Sequence, residues 1–429
     1  MNDIRWAFIQ PLTGGFYLGC EEAIGHPAEW IMSFEGLDKV NYSKDKKEMT
    51  NVGNEYNLLQ YLNKKNRSVP YYVIHNDMFD IDVNKTNINI TLDDNEAIPN
   101  YDNLDIVAAL PVCSGLSMAT SAKDDTKKSR NCNMQWITNY VLSIIKPKIF
   151  VFENAPTLMG SRGDELRSWF DDIAVKNKYS ILFYKTDSVL HDNCQRRPRT
   201  FIIFIKHNND NDLIQNPSLI SYYSNTITLK EYLKQIPENA TQMISLETPM
   251  HNWYMLDFIK SKLGDNWKDT INKSFIKYIR NNNLLDELID FIKNGVYPEE
   301  HKKKSIRYYE HIKYKTSLGL NYYGSDMQYF TDTIPSVQFK SMPNLLHLNE
   351  ERIYTIREYL HFMGMPFDFE LYGNITNNYA KIGQNVPVKT AKFIISELIN
   401  VLDNWDLPRK TEYNSLYQNN INKRVYIDF

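Results

Sequence analysis

The chain has 429 residues, of which 42% are hydrophobic and 24% charged, with a formal net charge of −3. That length and apolar content exclude a minimal binding module and a disordered chain, and leave room for one large core or two smaller domains. A net charge so near zero gives no global signal for nucleic acid, so any such partner has to show in local charge. No apolar run of about 18 residues occurs, and the opening MNDIRWAFIQPLTGG lacks a basic region leading into an apolar stretch. A soluble, intracellular protein is expected, with no membrane partner. Cys20, Cys113, Cys132 and Cys194 stand far apart without a CxxC pair, which suggests neither a disulfide framework nor a metal site.

In chain order, residues 1–206 alternate short apolar or β-branched runs with helical stretches, the pattern of an α/β domain with a mostly parallel sheet. The runs are AFIQPL, AEWIMSF, YYVIHND, LDIVAAL, KIFVFEN, SILFYKT and TFIIFIK. Trp136, Ile137, Tyr140, Val141, Ile144 and Ile145 recur at helical spacing, and Pro147 blocks continuation. Glu165 to Ile173 predicts a second amphipathic helix. From 207 the polar stretch HNNDNDLIQNPS suits a linker or surface loop, and opens a different region that extends to 375. Within it, Lys260 to Lys315 carries 13 Lys plus Arg against 8 Asp plus Glu, interleaved with Tyr278, Tyr297, Tyr308, Tyr309 and Tyr314. Residues 376–429 return to the α/β style, with AKIGQNVPV and a helical stretch through Ile399.

Ligands on open α/β sheets bind beyond the carboxyl ends of the strands, so the residues just after each run are the candidates. LDIVAAL leads into Pro111, Val112 and Cys113, a thiol at a strand end. Alone it reads as a small buried hydrophobe; in an electropositive setting it would be a nucleophile. KIFVFEN ends in Glu153 and Asn154, a carboxyl able to hydrogen-bond or protonate a heterocycle nitrogen. Gln195, Arg196, Arg197, Pro198 and Arg199 precede TFIIFIK, and three arginines in five residues suit phosphate or carbonyl oxygens.

In order and spacing these three segments resemble the DNA cytosine-5 methyltransferases, whose motifs are a Pro-Cys loop, a Glu-Asn-Val strand end and a Gln-x-Arg-x-Arg segment. The resemblance extends to both ends of the chain. Thr13, Gly14, Gly15 and Phe16 look like the glycine-rich loop that holds S-adenosylmethionine, Glu35 like the ribose-binding acid, and Asp77 with Met78 like the segment near the adenine. Arg352 to Glu358, Met363 to Pro366 and Ile382 to Pro387 are similar to the family's later motifs. Residues 207–340, where the family keeps its variable target recognition region, are unmatched.

The resemblance implies a Rossmann-like S-adenosylmethionine-dependent methyltransferase domain at 1–206, a smaller target recognition region at 207–375 and a return into the catalytic domain at 376–429. It implies methyl transfer to C5 of a flipped-out cytosine in double-stranded DNA through a covalent adduct, by a monomer in the cytoplasm of a bacterial or phage-infected cell. The catalytic set would be Cys113, Glu153, Arg197 and Arg199. The donor would be held by Thr13, Gly14, Gly15, Phe16, Glu35, Asp77, Met78, Pro111, Gln384 and Asn385. DNA would be met by Gln195, Arg196, Lys127, Lys128 and Arg130, the last three in a loop that also contains Lys123 and reads as a lid. No metal is implied. Val112, Ser114 and Leu116 depart from the family's nucleophile loop. Gln10 stands for an aromatic, Leu12 for the first glycine and Gln384 for an asparagine. The last three changes fall in the donor pocket and leave two alternatives open: a modified sulfonium donor or an RNA acceptor on the same scaffold, or a non-catalytic DNA-binding homologue.

Overall fold

Each of the seven apolar runs forms a strand, because each is long enough to be buried on both faces and is bounded by turn residues. In the computed structural model the strands are β1 (Trp6–Ile9), β2 (Ile31–Phe34), β3 (Tyr71–Ile74), β4 (Ile90–Leu92), β5 (Ile106–Ala109), β6 (Ile149–Asn154), β7 (Tyr179–Asp187), β8 (Pro198–Lys206), β9 (Ser415–Asn419) and β10 (Arg424–Asp428). The structure describes residues 4–42, 49–76, 81–85, 90–92, 99–112, 131–207, 220–221, 223–237, 250–271, 273–313, 327–337, 345–373, 375–405, 415–419 and 424–428.

The ten strands form one sheet in the order β10-β9-β7-β8-β6-β5-β1-β2-β3-β4. Its centre is parallel: β1 pairs with β2 and β5, β2 with β3, and β5 with β6. β8 lies antiparallel between β6 and β7. β4, β9 and β10 have no counterpart among the expected runs. They are short strands at the two ends of the sheet, β4 and β10 at its edges and β9 between β10 and β7, and ITL, SLYQN and RVYID carry no continuous apolar signal.

Alternation along the strands sorts the side chains between two helical layers. Ala7, Ile9, Met32, Phe34, Val107, Ala109, Phe150, Phe152 and Phe204 belong to a core with Trp136 and Tyr140 of the helix Cys132–Tyr140 and Phe170 of the helix Asp164–Lys176. On β1 the alternate residues Trp6 and Phe8 meet Tyr17 and Phe16 of the helix Gly15–Ile24, at ring separations of 5.2 and 5.4 Å. These helices are α1 (Gly15–Ile24), α2 (Tyr56–Lys64), α3 (Cys132–Tyr140), α4 (Asp164–Lys176) and α5 (Val388–Asp403). α3 runs on as a π-helical turn over Val141–Ile145 and stops at Lys146, whose φ is 56°, one residue before Pro147. Ile144, expected on the apolar face, is 42% exposed; the wider turn carries it off the stripe. α1 packs closely on α5 because Gly19 has no Cβ, which would lie 2.5 Å from the Cβ of Ala391.

The chain divides into two compact units, Met1–Thr226 with Met363–Asn374 and Gln384–Phe429, and Ile227–Phe362 with Ile375–Gly383. Two stretches expected with the second region, 207–226 and 363–374, cluster with the first unit. The contacts responsible include the Tyr223 ring on His191 and Phe393, and the Val388 N–H donating to the Met363 carbonyl at 2.9 Å.

The second unit has its own core, drawn from the helices Met250–Leu263, Phe275–Asn281, Leu285–Asn294 and Glu299–Lys313 and the paired strands Lys273–Ser274 and Gln328–Tyr329. Tyr309 is fully buried there, and Tyr278, Tyr297 and Tyr308 pack against the same core. The described tyrosines of the basic segment are thus packing residues as well as neighbours of charge. Lys260, Lys262, Lys302, Lys304 and Lys313 pair with Glu351, Glu287, Glu299, Glu300 and Asp286.

Candidate active site

The strand order reverses at β1: β2 and β3 lie to one side, β5 and β6 to the other. This places the crevice between the carboxyl ends of β1 and β5. Register aligns the residues at these strand ends. Ile9 sits opposite Ala109, and Ala109 opposite Phe152, so Gln10, Leu110 and Glu153 stand at the same level, the last still paired with β8.

The turn after β1 is built from left-handed residues: Gln10 (φ 58°), Leu12 (φ 52°) and Gly14 (φ 100°). Gln10 and Thr13 are fully buried. α1 then begins at Gly15 with no acidic residue in its first turn and no side-chain cap from Gly14. The Gly15 N–H donates instead to Oδ1 of Asn385 at 2.7 Å, and a Cβ at Gly15 would stand 2.2 Å from the Val386 carbonyl oxygen. Only glycine permits that approach. Asn54 donates from Nδ2 to Oε1 of the exposed Gln384 at 2.7 Å.

Glu35, at the carboxyl end of β2, is exposed and pairs with Lys39 and with His75 at 3.2 Å; these partners hold its carboxyl below the ordinary range. A second acid, which sequence reasoning missed, lies deeper. Glu55, just before α2, is fully buried and accepts from the Leu12 N–H (3.3 Å), the Ser33 hydroxyl (2.6 Å) and the Tyr71 hydroxyl (2.7 Å). A glutamate at a helix start reads as a solvated residue in sequence, and no local pattern announces its burial.

Beyond β5, Pro111 is buried and the Val112 N–H donates to Oδ1 of Asn133 at 2.9 Å. Cys113, Lys123, Lys127, Lys128 and Arg130 lie outside the described residues, as do Asp77 and Met78. Of the other cysteines, Cys20 and Cys194 are buried and free, and burial pushes their thiols up, which makes both poor nucleophiles.

Glu153 is 5% exposed, and its Oε1 lies 2.5 Å from Nε of Arg199. The antiparallel pairing sets this up: Phe201 faces Glu153, which brings Arg199, two residues earlier, to the end of β6. Burial pushes the Glu153 carboxyl up, and the guanidinium groups of Arg199 and Arg197 pull against that. Asn154 turns inward, donating to Sδ of Met134 at 3.2 Å and accepting from the Ala155 N–H at 2.8 Å. Arg197 is buried, donating from its backbone to Asp187 and from Nη2 to the Asn385 carbonyl, both at 2.7 Å. Gln195 is buried with Nε2 on Sδ of Met363 at 3.5 Å, whereas Arg196 is exposed.

Two groups therefore assemble: Glu153 with Arg199 beside the Pro111 loop, and Arg197 with Asn385 and Gly15 beneath the glycine-rich turn. In structure the chain resembles a prophage-encoded DNA modification methyltransferase from E. coli, with TM-score 0.50 and 16% identity over 93% of this chain and 99% of the other. The Entamoeba histolytica methyltransferase EhMeth gives TM-score 0.50 and 12% identity over 94% and 99%. These likenesses show the fold, a Rossmann-like α/β methyltransferase architecture. In sequence, a Methanocaldococcus jannaschii protein named as a type II methyltransferase is 23% identical over 308 residues, 69% of this chain and 78% of the other. The type II methyltransferase M.Sau96I of Staphylococcus aureus is 35% identical over 60 residues, 14% of each chain. The model of the C-5 cytosine-specific DNA methylase family matches residues 60–400, and the chain belongs to that family of DNA cytosine methyltransferases.

Proposed function

We propose that the chain transfers a methyl group from S-adenosylmethionine to C5 of a cytosine flipped out of double-stranded DNA, through a covalent adduct with Cys113. The observation that carries this reading is the buried Glu153–Arg199 pair, 2.5 Å apart, at the sheet edge that the Pro111 loop also leaves.

Cytosine C5 is a weak nucleophile. Addition of the Cys113 thiolate to C6 converts the ring to an enamine with an electron-rich C5. Glu153 fits the N3 and N4 edge of the base; protonated, it donates to N3 and stabilises the adduct, and burial favours that form. Arg199 holds the carboxyl in place and presents its remaining N–H groups to O2. The ring must be approached from its face, so the base has to leave the stack. After transfer, loss of the C5 proton expels the thiolate.

The residues after β1 fit the donor. The first turn of α1 has no carboxylate to compete with an anionic group, and the amides of that turn suit the amino-acid carboxylate. Glu35 at the end of β2 suits ribose hydroxyls. When bound, S-adenosylmethionine supplies an electrophilic methyl on sulfonium. Arg197 acts by position: its guanidinium fixes Asn385, whose side chain fixes Gly15. The second unit carries target recognition, with phosphate contacts from its exposed basic residues.

The test is nucleoside mass spectrometry after incubation of cytosine-containing duplexes with labelled S-adenosylmethionine. One methyl on cytosine is expected, abolished in Cys113→Ala and reduced about 10²–10⁴-fold in Glu153→Gln, the range for a positioned general acid. A trapped adduct with 5-fluorocytosine DNA is expected as well. Absence of both product and adduct overturns the reading; a different transferred group would point to a modified donor, and transfer confined to RNA would point to an RNA acceptor.

A further inference from the structure

We propose that Glu55 is a positioning residue that clamps the donor-binding turn, holding Leu12 in a left-handed conformation that glycine would adopt unaided. Gln10 and Leu12 both have positive φ, 58° and 52°, a region where a side chain crowds the next carbonyl and glycine does not. The Gln10 N–H is held by the sheet, donating to the Met32 carbonyl at 2.8 Å. Leu12 lies beyond the ladder, and its N–H donates to Oε1 of Glu55. Leu12 is also the residue that stands where the family pattern has glycine. A conformation with a steric cost is therefore tied down by a buried acceptor from another element.

The same carboxyl accepts from Ser33 on β2 and Tyr71 on β3, so one side chain links the turn after β1 with the two neighbouring parallel strands. Asp38 is a further acid close enough to raise its charge cost. Gly14 completes the fit: it faces Leu58 of α2, where a Cβ would stand 2.7 Å from Cδ1, so α2 and the residue before it support the turn at two points. Three donors from separate elements on one buried carboxyl is more than a helix start requires. What they share is the turn and the strands that would face the donor.

The clamp rests on the reading of this turn as the donor site, so one measurement is independent of any ligand. In amide hydrogen exchange of the full chain, Glu55→Gln is expected to speed exchange at Leu12 by about tenfold or more, the loss of one hydrogen bond to a charged acceptor, with α4 unchanged. Calorimetry with S-adenosylhomocysteine at pH near 8 is expected to show about tenfold weaker binding, and kinetics a matching rise in KM for the donor with kcat within about twofold. In a Leu12→Gly background the same substitution is expected to cost about threefold or less, because glycine takes the conformation without the clamp. If Glu55→Gln does not fold, Glu55→Asp, which keeps the charge but shortens the arm, is expected to give the same exchange signature. Unchanged exchange at Leu12, or an equal loss in both backgrounds, overturns the clamp. Failure of the wild type to bind S-adenosylhomocysteine overturns the donor reading instead, and exchange still decides the clamp.

Discussion

A carboxyl removed from water titrates where its neighbours and its burial put it, and Glu55 makes this measurable. Burial pushes it up to about 7 from an ordinary 4.5, against the pull of Ser33, Tyr71 and the Leu12 amide, with Asp38 adding to the rise. The folded protein thus binds this proton more tightly than the unfolded chain. The stability it confers is complete below pH about 4.5 and is lost as pH rises through about 7. Chemical denaturation at pH about 5 and about 8 is expected to show wild type losing roughly 2–3 kcal/mol relative to Glu55→Gln. Parallel pH profiles would contradict it. At this scale Glu153 and the arginines were legible as residue types at a strand end. Their burial was not, because it is set by contacts far along the chain: Arg197, just before β8, turns inward to the Asn385 carbonyl while Arg196 stays in solvent.

Single elements show how far local chemistry reaches. The helix Ile356–Phe362 opens on a capping box made by Thr355 and Glu358. The Glu358 N–H donates to Oγ1 of Thr355 at 3.2 Å, and the Thr355 N–H donates to Oε2 of Glu358 at 2.7 Å. Glu358 is also 1% exposed and gripped by Nη1 and Nη2 of Arg352, both at 2.8 Å, a burial that no local pattern announces. Removing one partner of a buried pair leaves a desolvated charge behind. Arg352→Ala is therefore expected to destabilise the protein by about 3 kcal/mol, against about 1 kcal/mol for Thr355→Ala, as read from urea midpoints. Equal, small losses would mean that Glu358 keeps its water. The outer strands β9 and β10 make the complementary point: their short, mixed sequences acquire strand geometry from the sheet they join, β9 along β7 and β10, at the edge, along β9.

For the molecule as a whole, a net charge of −3 averages over exposed arginines and lysines that are not evenly spread. Ion pairing within the second unit already neutralises part of the positive excess between Lys260 and Lys315. Binding to duplex DNA is expected to weaken by at least about tenfold between roughly 50 and 200 mM salt, measured by fluorescence anisotropy, as phosphate contacts release counterions. Binding indifferent to salt would place recognition elsewhere than on the backbone. The sequence by itself determined the α/β class, the seven strands of the sheet's central part and the order of the motifs, since apolar runs and turn residues are local signals. Only the tertiary structure decided that the crevice lies between β1 and β5, that 207–226 and 363–374 cluster with the first unit, and that Glu55 and Arg197 are buried, Glu55 against the turn after β1 and Arg197 against Asn385. Strand order, register and burial arise between segments far apart in the chain, where hydrogen-bond geometry and the cost of desolvating charge select one arrangement among many that local propensity allows.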